Sequence, residues 1–347
     1  MTKFYTLSIQ EINKETEDAV SILFTIPTSI KETFSFVAGQ YVTLKKEIKG
    51  EEVRRAYSIC SSPNSGELKV AVKAVEKGVF STYATTELSV GDELEVTAPE
   101  GKFVLTPANG KNYIGFAAGS GITPVLSMIS AVLENSDATF TLIYGNKSVA
   151  DTIFYHQLNE LQAKYPHQFK LHYVFSRERN EDALYGRIDK GHVNYFVKNM
   201  YKEITFDGAF LCGPEEMIHI ASETLQENGL TKDAIHFELF TASASEENTD
   251  KIKDGITQIT IMLDDEEITF DMKQTDTILA ASLRNKLDAP YSCQGGVCSS
   301  CIAKVTEGKA VMTKNSILTD DELEEGLILT CMAHPTTPTI AIDYDEV

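Results

Sequence analysis

Cys293-Gln294-Gly295-Gly296-Val297-Cys298-Ser299-Ser300-Cys301, followed at a distance by Cys331, has the spacing C-x4-C-x2-C with a remote fourth cysteine. This is the spacing at which four thiolates hold the two irons of a plant-type [2Fe–2S] cluster. The intervening residues suit the task. A loop wrapped tightly round a cluster leaves little room for side chains, which favours Gly295, Gly296, Ser299 and Ser300, and its freed backbone N–H groups can point at the sulfurs. Structural zinc usually pairs its ligands as C-x2-C twice, and only one such pair stands here. Disulfides would require an oxidising compartment. The candidate metal ligands are therefore Cys293, Cys298, Cys301 and Cys331, while the other two of the six cysteines, Cys60 and Cys212, lie far away inside apolar segments.

Outward from this loop, strand patterns at 258–263 and 267–271 and a helical pattern near 277–286 predict a small α+β domain over 255–347. The stretch 241–254 is small, polar and charged, and reads as a linker. Residues 106–240 alternate strand and helix: 113–118 before a helix at 124–134, 139–144 before 154–164, then 171–175, and 208–211 before 215–227. That alternation predicts an α/β domain with a doubly wound parallel sheet. Over 1–105 the pattern is of short strands with period-two alternation, at 5–9, 20–24, 40–44 and 67–72, separated by turns such as Pro63-Asn64-Ser65-Gly66. These predict an antiparallel β-barrel or sandwich. The chain is thus expected to be multidomain, as its 347 residues also suggest.

With 31 basic and 51 acidic residues the formal charge is −20, which opposes binding to nucleic acid or an anionic membrane surface. Half of that excess lies in 255–347, with 16 Asp and Glu against 6 Lys and Arg. Such a domain would dock on a basic protein surface; solubility alone accounts for it equally well. No stretch approaches the roughly 20 apolar residues of a membrane span. The N-terminus enters a strand pattern without an apolar signal core, so a cytoplasmic location is expected.

Four further segments carry chemistry. In Arg54-Arg55-Ala56-Tyr57-Ser58, an arginine two residues before a tyrosine sets on one face of a strand a fork for a pyrophosphate and a ring for stacking on a flat heterocycle, with the Ser58 hydroxyl close by. Gly78-Val79-Phe80-Ser81-Thr82 opens a helical run and can cradle an anion, or simply supply Ser81 as an N-cap. Gly119-Ser120-Gly121-Ile122-Thr123-Pro124 joins strand to helix; its glycines allow a pyrophosphate close to the backbone, although it is not G-x-G-x-x-G. Phe210-Leu211-Cys212-Gly213-Pro214 ends a late strand, where Cys212 can face a ligand or be a buried structural thiol.

Taken together, these motifs resemble, over essentially the whole chain, the ferredoxin–NADP reductase superfamily with a fused plant-type ferredoxin domain, and within it the reductase components of oxygenases. The resemblance implies an FAD-binding barrel, an NAD(P)-binding α/β domain and a β-grasp [2Fe–2S] domain. It implies that Arg55 reaches the FAD phosphates, that Tyr57 stacks on the isoalloxazine, that Ser58 lies near N5, and that Ala56 between them belongs to the same cofactor-binding segment. Gly78, Phe80, Ser81 and Thr82 resemble the second FAD phosphate segment. Gly119, Gly121, Thr123 and Pro124 resemble the G-x-G-x-T-P pyrophosphate turn, and Cys212 and Gly213 the motif that lines the nicotinamide pocket. Glu238-Leu239-Phe240 is similar to the terminal E-x-aromatic motif, with Phe240 in place of the commoner tyrosine. Ser58, Cys212 and Glu238 are the implied catalytic residues. Ser176 and Arg177, with Lys147, stand where family members that select NADPH over NADH carry a serine and basic residues, although Glu178 adjoins them.

By this resemblance the chain takes hydride from NAD(P)H and passes single electrons through the cluster to an oxygenase. A phenylacetyl-CoA epoxidase is the first expectation and a ring- or steroid-hydroxylating oxygenase the second. A redox-sensing protein without turnover would carry the same cofactors. A hydroxylase in its own right is disfavoured, because no Glu-x-x-His di-iron set is present.

Overall fold

In a computed structural model, which describes residues 3–240 and 252–347, apolar alternation and burial coincide strand by strand. Six antiparallel strands form the first sheet: β1 (Phe4–Thr16), β2 (Ala19–Thr25), β3 (Tyr41–Ile48), β4 (Glu51–Ser58), β5 (Leu68–Lys73) and β6 (Glu93–Thr97). Their order is β4-β3-β6-β1-β2-β5. Ile59, one residue beyond β4, bridges Val70 in β5 and so closes the sheet into a barrel. Leu7, Ile22, Val42, Leu44 and Val70 fill its interior, and helix α1 (Val79–Thr86) packs Phe80 against the same core.

Next come β7 (Asn112–Ala118), α2 (Ile122–Asn135), β8 (Thr139–Asn146), α3 (Tyr155–Lys164), β9 (Phe169–Phe175), β10 (Ala183–Tyr185), α4 (Lys190–Asn194), β11 (Gly208–Cys212), α5 (Glu215–Glu227) and β12 (Ile235–Glu238). The strands are parallel, in the order β10-β9-β8-β7-β11-β12. β7 and β11 read as unbroken apolar runs because both of their faces are covered. α2 is buried on nearly every side. A polar seam explains this: Ser127 Oγ donates to the Ser61 carbonyl at 2.8 Å, Ser62 bonds Glu134, and Asn64 Nδ2 donates to Asn135 at 2.6 Å. Barrel and α/β sheet accordingly make one compact unit, Phe4–Phe240.

The C-terminal unit contains β13 (Ile256–Leu263), β14 (Glu266–Lys273), α6 (Ile278–Arg284), β15 (Ile302–Glu307), β16 (Ala310–Met312), α7 (Asp320–Glu324), β17 (Leu327–Leu329), β18 (Ala333–Pro335) and β19 (Thr339–Asp343). Its main sheet runs β14-β13-β19-β15-β17, with β13 and β19 parallel. Thr277 caps α6, and a Thr319/Glu322 capping box starts α7. Ile259, Ile261, Ile278, Ala303, Leu329 and Ile342 form the core. The predicted linker 241–254 falls, through residue 251, outside the described residues. No helix among the described residues is long and apolar enough to cross a membrane.

Candidate functional site

The order of the parallel sheet fixes where a ligand can enter. β8, β9 and β10 lie on one side of β7, while β11 and β12 lie on the other. The winding therefore reverses between β7 and β11, and open α/β sheets bind ligands at the carboxyl ends of such strands. The two loops that leave these ends interlock. A Cβ on Gly121 would stand 2.1 Å from the Cys212 carbonyl oxygen, so only backbone fits there. Gly119 is different: its φ is +55° and no other atom lies within 4 Å of where its Cβ would be, which leaves the turn open to close approach. Thr123 Oγ1 donates to the Ser120 carbonyl at 3.0 Å. Pro124 is the third residue of α2, within the first turn, where its missing N–H is no loss.

Cys212 ends β11 with its side chain fully buried, in register with Ala117 of β7 and Glu238 of β12. Burial, and then the Glu238 carboxylate, push its thiol well up. Ser58 Oγ, at the end of β4, donates to Glu238 Oε2 at 3.1 Å. Burial drives the Glu238 carboxyl up to about 8 against the downward pull of that bond. Part of the residue's surface stays open, but the carboxyl itself is enclosed by protein, and at neutral pH it keeps its proton. The fold thus brings Ser58 to Glu238, and Glu238 alongside Cys212, from three separate strands. Phe240, two residues on, is exposed.

On β4, Arg55 and Tyr57 share one face and Arg54 and Ser58 the other. Arg54 is buried, paired with Glu52 at 2.8 Å and placed over the Phe4 ring at 5.1 Å. Arg55 is exposed, gives Nη1 to the Arg54 carbonyl at 2.6 Å and makes no ion pair among the described residues, so its remaining donors face outward. Tyr57 and Phe80 stand with ring centroids 5.5 Å apart, which joins the two predicted flavin segments. α1 starts after Gly78 with no side-chain cap. Ser81 does not cap it: the residue is buried at the third helical position, its hydroxyl accepting from the Val75 N–H at 3.2 Å. Thr82 donates its own N–H to the Gly78 carbonyl. A Cβ on Gly78 would fall 2.2 Å from Ser81 Oγ, so the bare backbone at this helix start is obligatory and suits an anion. Residues and shape fit a flavin dinucleotide here.

At the end of β9, the Ser176 N–H and hydroxyl both reach the Asn146 carbonyl, at 2.9 and 3.3 Å, and the Arg177 N–H reaches that of Lys147 at 2.9 Å. The Arg177 side chain is exposed. Glu178 is held elsewhere, accepting from the Val149 N–H at 3.0 Å.

The C-terminal cysteines converge as well. Cys298 donates to Cys293 across 3.1 Å, and the Gly295 N–H points at Cys293 Sγ from 3.3 Å. Hydrogen bonds from the Cys298 and Cys331 thiols hold Cys293 far below the usual thiol range. Cys298, Cys301 and Cys331 are buried. The hydroxyl of Ser292, just before Cys293, is buried with no protein partner among the described residues, a donor available to a sulfur. Only the small size of a residue preceding the first cysteine could have flagged it. Gly296, at φ +70°, would press a Cβ to 2.8 Å from Met332 Cγ, whereas Gly295 has ordinary room. Among the described residues no three His, Cys, Asp or Glu gather round a single-ion site. A two-iron cluster shares its four thiolates between two irons and needs no such trio.

Family profiles agree with this arrangement. An oxidoreductase FAD-binding domain matches residues 6–105, an oxidoreductase NAD-binding domain 116–223, and a 2Fe-2S iron-sulfur cluster binding domain 261–336. The chain is 39% identical over 352 residues to a 1,2-phenylacetyl-CoA epoxidase subunit of Escherichia coli (strain K12), covering 99% of each. It is 30% identical over 355 residues to the ferredoxin reductase component of 3-ketosteroid-9-alpha-monooxygenase of Mycobacterium tuberculosis, covering 98% of this chain and 96% of that one. Among solved structures, phthalate dioxygenase reductase aligns over 98% of both chains with a TM-score of 0.62 at 23% identity, a likeness of fold.

Proposed function

Because this chain belongs to the family of oxygenase reductase components that join FAD-, NAD- and [2Fe–2S]-binding domains in one polypeptide, we propose that it draws electrons from NADPH and delivers them to the oxygenase of a phenylacetyl-CoA epoxidase, in phenylacetate catabolism. The observation that carries the partner is the 39% identity to the Escherichia coli epoxidase subunit across 99% of both chains. When bound, FAD takes the two electrons of a hydride together and the cluster releases them one at a time, chemistry that no side chain supplies.

The chain's own residues do the rest. In this reading Arg55 and the uncapped start of α1 hold the FAD phosphates while Tyr57 stacks on the ring. Ser58 and the protonated Glu238 set the hydrogen bonding beside it, and Cys212 and Phe240 shape the nicotinamide pocket. The Gly119–Pro124 segment holds the dinucleotide pyrophosphate. Arg177, with Ser176 and Lys147, faces the 2′-phosphate, and the tether of Glu178 to Val149 supports NADPH over NADH by removing the carboxylate that would repel that group. Cys293, Cys298, Cys301 and Cys331 bind the cluster. Functional boundaries are proposed at 105/106 and 240/241, with 255 opening the cluster domain.

Reconstitution tests the partner. Full-length protein, loaded with flavin and iron–sulfur, is mixed with purified epoxidase oxygenase subunits, phenylacetyl-CoA and NADPH, and oxygenated product is expected in step with NADPH consumed. Efficient electron delivery to a ketosteroid oxygenase instead, with none to the epoxidase, would reassign it.

A further inference from the structure

Tyr144, near the carboxyl end of β8, is fully buried, yet its hydroxyl is not idle. Oη donates to the Gly119 carbonyl at 2.9 Å, with the Ile153 carbonyl a second acceptor at 3.3 Å. The Gly119 carbonyl also receives the Ile122 N–H at the start of α2. Both of its lone pairs are thus engaged from within the protein. In a trans peptide, C=O and N–H point in opposite directions. Fixing the Gly119 carbonyl inward on Tyr144 therefore turns the Ser120 N–H the opposite way, out of the core that encloses the phenol. The next peptide is fixed in the same way, because Thr123 Oγ1 holds the Ser120 carbonyl. Successive N–H groups aimed outward at a helix start form an anion-binding concavity.

We propose that Tyr144 is a positioning residue for the pyrophosphate-binding turn, its phenol locking the Gly119–Ser120 peptide so that the Ser120 N–H faces the incoming dinucleotide. This rests on the assignment of that turn to the dinucleotide. Without the hydroxyl, the Gly119 carbonyl keeps only the Ile122 N–H, its peptide is held less firmly, and the cost falls on binding the anion rather than on transfer within the bound pair.

The full-length holoprotein carrying Tyr144→Phe is titrated with ADP-ribose, and its NADPH oxidation is followed with ferricyanide as acceptor. We expect the ADP-ribose Kd and the NADPH KM to rise about five- to tenfold with kcat unchanged, the loss of one buried hydrogen bond. Unchanged Kd and KM, or a loss confined to kcat, would overturn the proposal. Gly119→Ala separates this from the underlying assignment: its methyl meets no other part of the protein, and at φ +55° the strain it adds falls on the backbone of the turn itself. If Gly119→Ala weakens ADP-ribose binding and Tyr144→Phe does not, only the role of Tyr144 falls. If neither does, the turn does not bind the dinucleotide.

Discussion

Replacing Glu238 with Gln isolates a carboxyl that burial displaces strongly. Folded, Glu238 keeps its proton up to about pH 8 through burial, opposed by the Ser58 hydrogen bond; unfolded, it ionises near 4.5. Between those values the unfolded chain has lost a proton that the folded chain retains, so raising the pH favours unfolding. The stability this group contributes is complete below 4.5, falls through the window and is gone above 8. An uninterrupted shift would be worth about 1.4 kcal/mol per pH unit. Because part of the residue is open to solvent, we halve the total and expect about 2 kcal/mol between about pH 5 and 8.5. For a unit of this size that corresponds to about 4–8 °C in Tm.

The assay is thermal unfolding of wild type and Glu238→Gln at five pH values from about 5 to 8.5, followed by flavin release. Gln cannot ionise, so the two Tm curves should keep one spacing at low pH and separate from it as wild type loses stability. Ser58→Ala should move the wild-type inflection to higher pH, since Ser58 favours the charged carboxylate. Parallel curves for wild type and Glu238→Gln would show that the carboxyl is not enclosed as described.

Arg55→Ala should weaken FAD binding about tenfold or more through lost charge-assisted hydrogen bonds while leaving the Tm of flavin-free protein unchanged, because Arg55 is exposed; equilibrium dialysis and calorimetry read the two. Gly78→Ala forces a methyl to within 2.2 Å of Ser81 Oγ and should cost about 1–3 kcal/mol in stability together with flavin retention, measured by denaturant titration and the flavin-to-protein absorbance ratio. Arg177→Ala should raise the KM for NADPH about tenfold and leave that for NADH unchanged, as steady-state kinetics with both donors would show. Cys298→Ser should abolish cytochrome c reduction while sparing NADPH oxidation by ferricyanide; full cytochrome c reduction by that variant would break the electron route.

The motifs were legible because each is settled by local chemistry. C-x4-C-x2-C states how many thiolates one loop can offer, and Gly119-Ser120-Gly121 states that backbone must come close to something. The long strands and helices were equally legible, and α5 spans the predicted 215–227 residue for residue. β10, β12, β16, β17 and β18 escaped because three or four residues are too few to display a period, and β6, β15 and β19 escaped although they run to five or six residues. At the cluster loop the protein itself requires Gly296, which Met332 crowds, while Gly295 has ordinary room against the protein.

What no local pattern contains is the strand order. Ser58 and Glu238 are separated by 180 positions in the chain and meet only because the barrel and the sheet pack as one unit. Cys212 faces Glu238 because β12 adds to the sheet beside β11 in parallel register. The motif marks Glu238 by resemblance as catalytic, but nothing in the sequence shows that its carboxyl is displaced from the ordinary range. Its raised pKa comes from enclosure, opposed by the Ser58 hydroxyl, and both are contributed by distant parts of the chain. The motifs therefore say which cofactors are held, whereas the protonation state of the groups around them is a property of the packing between barrel and sheet.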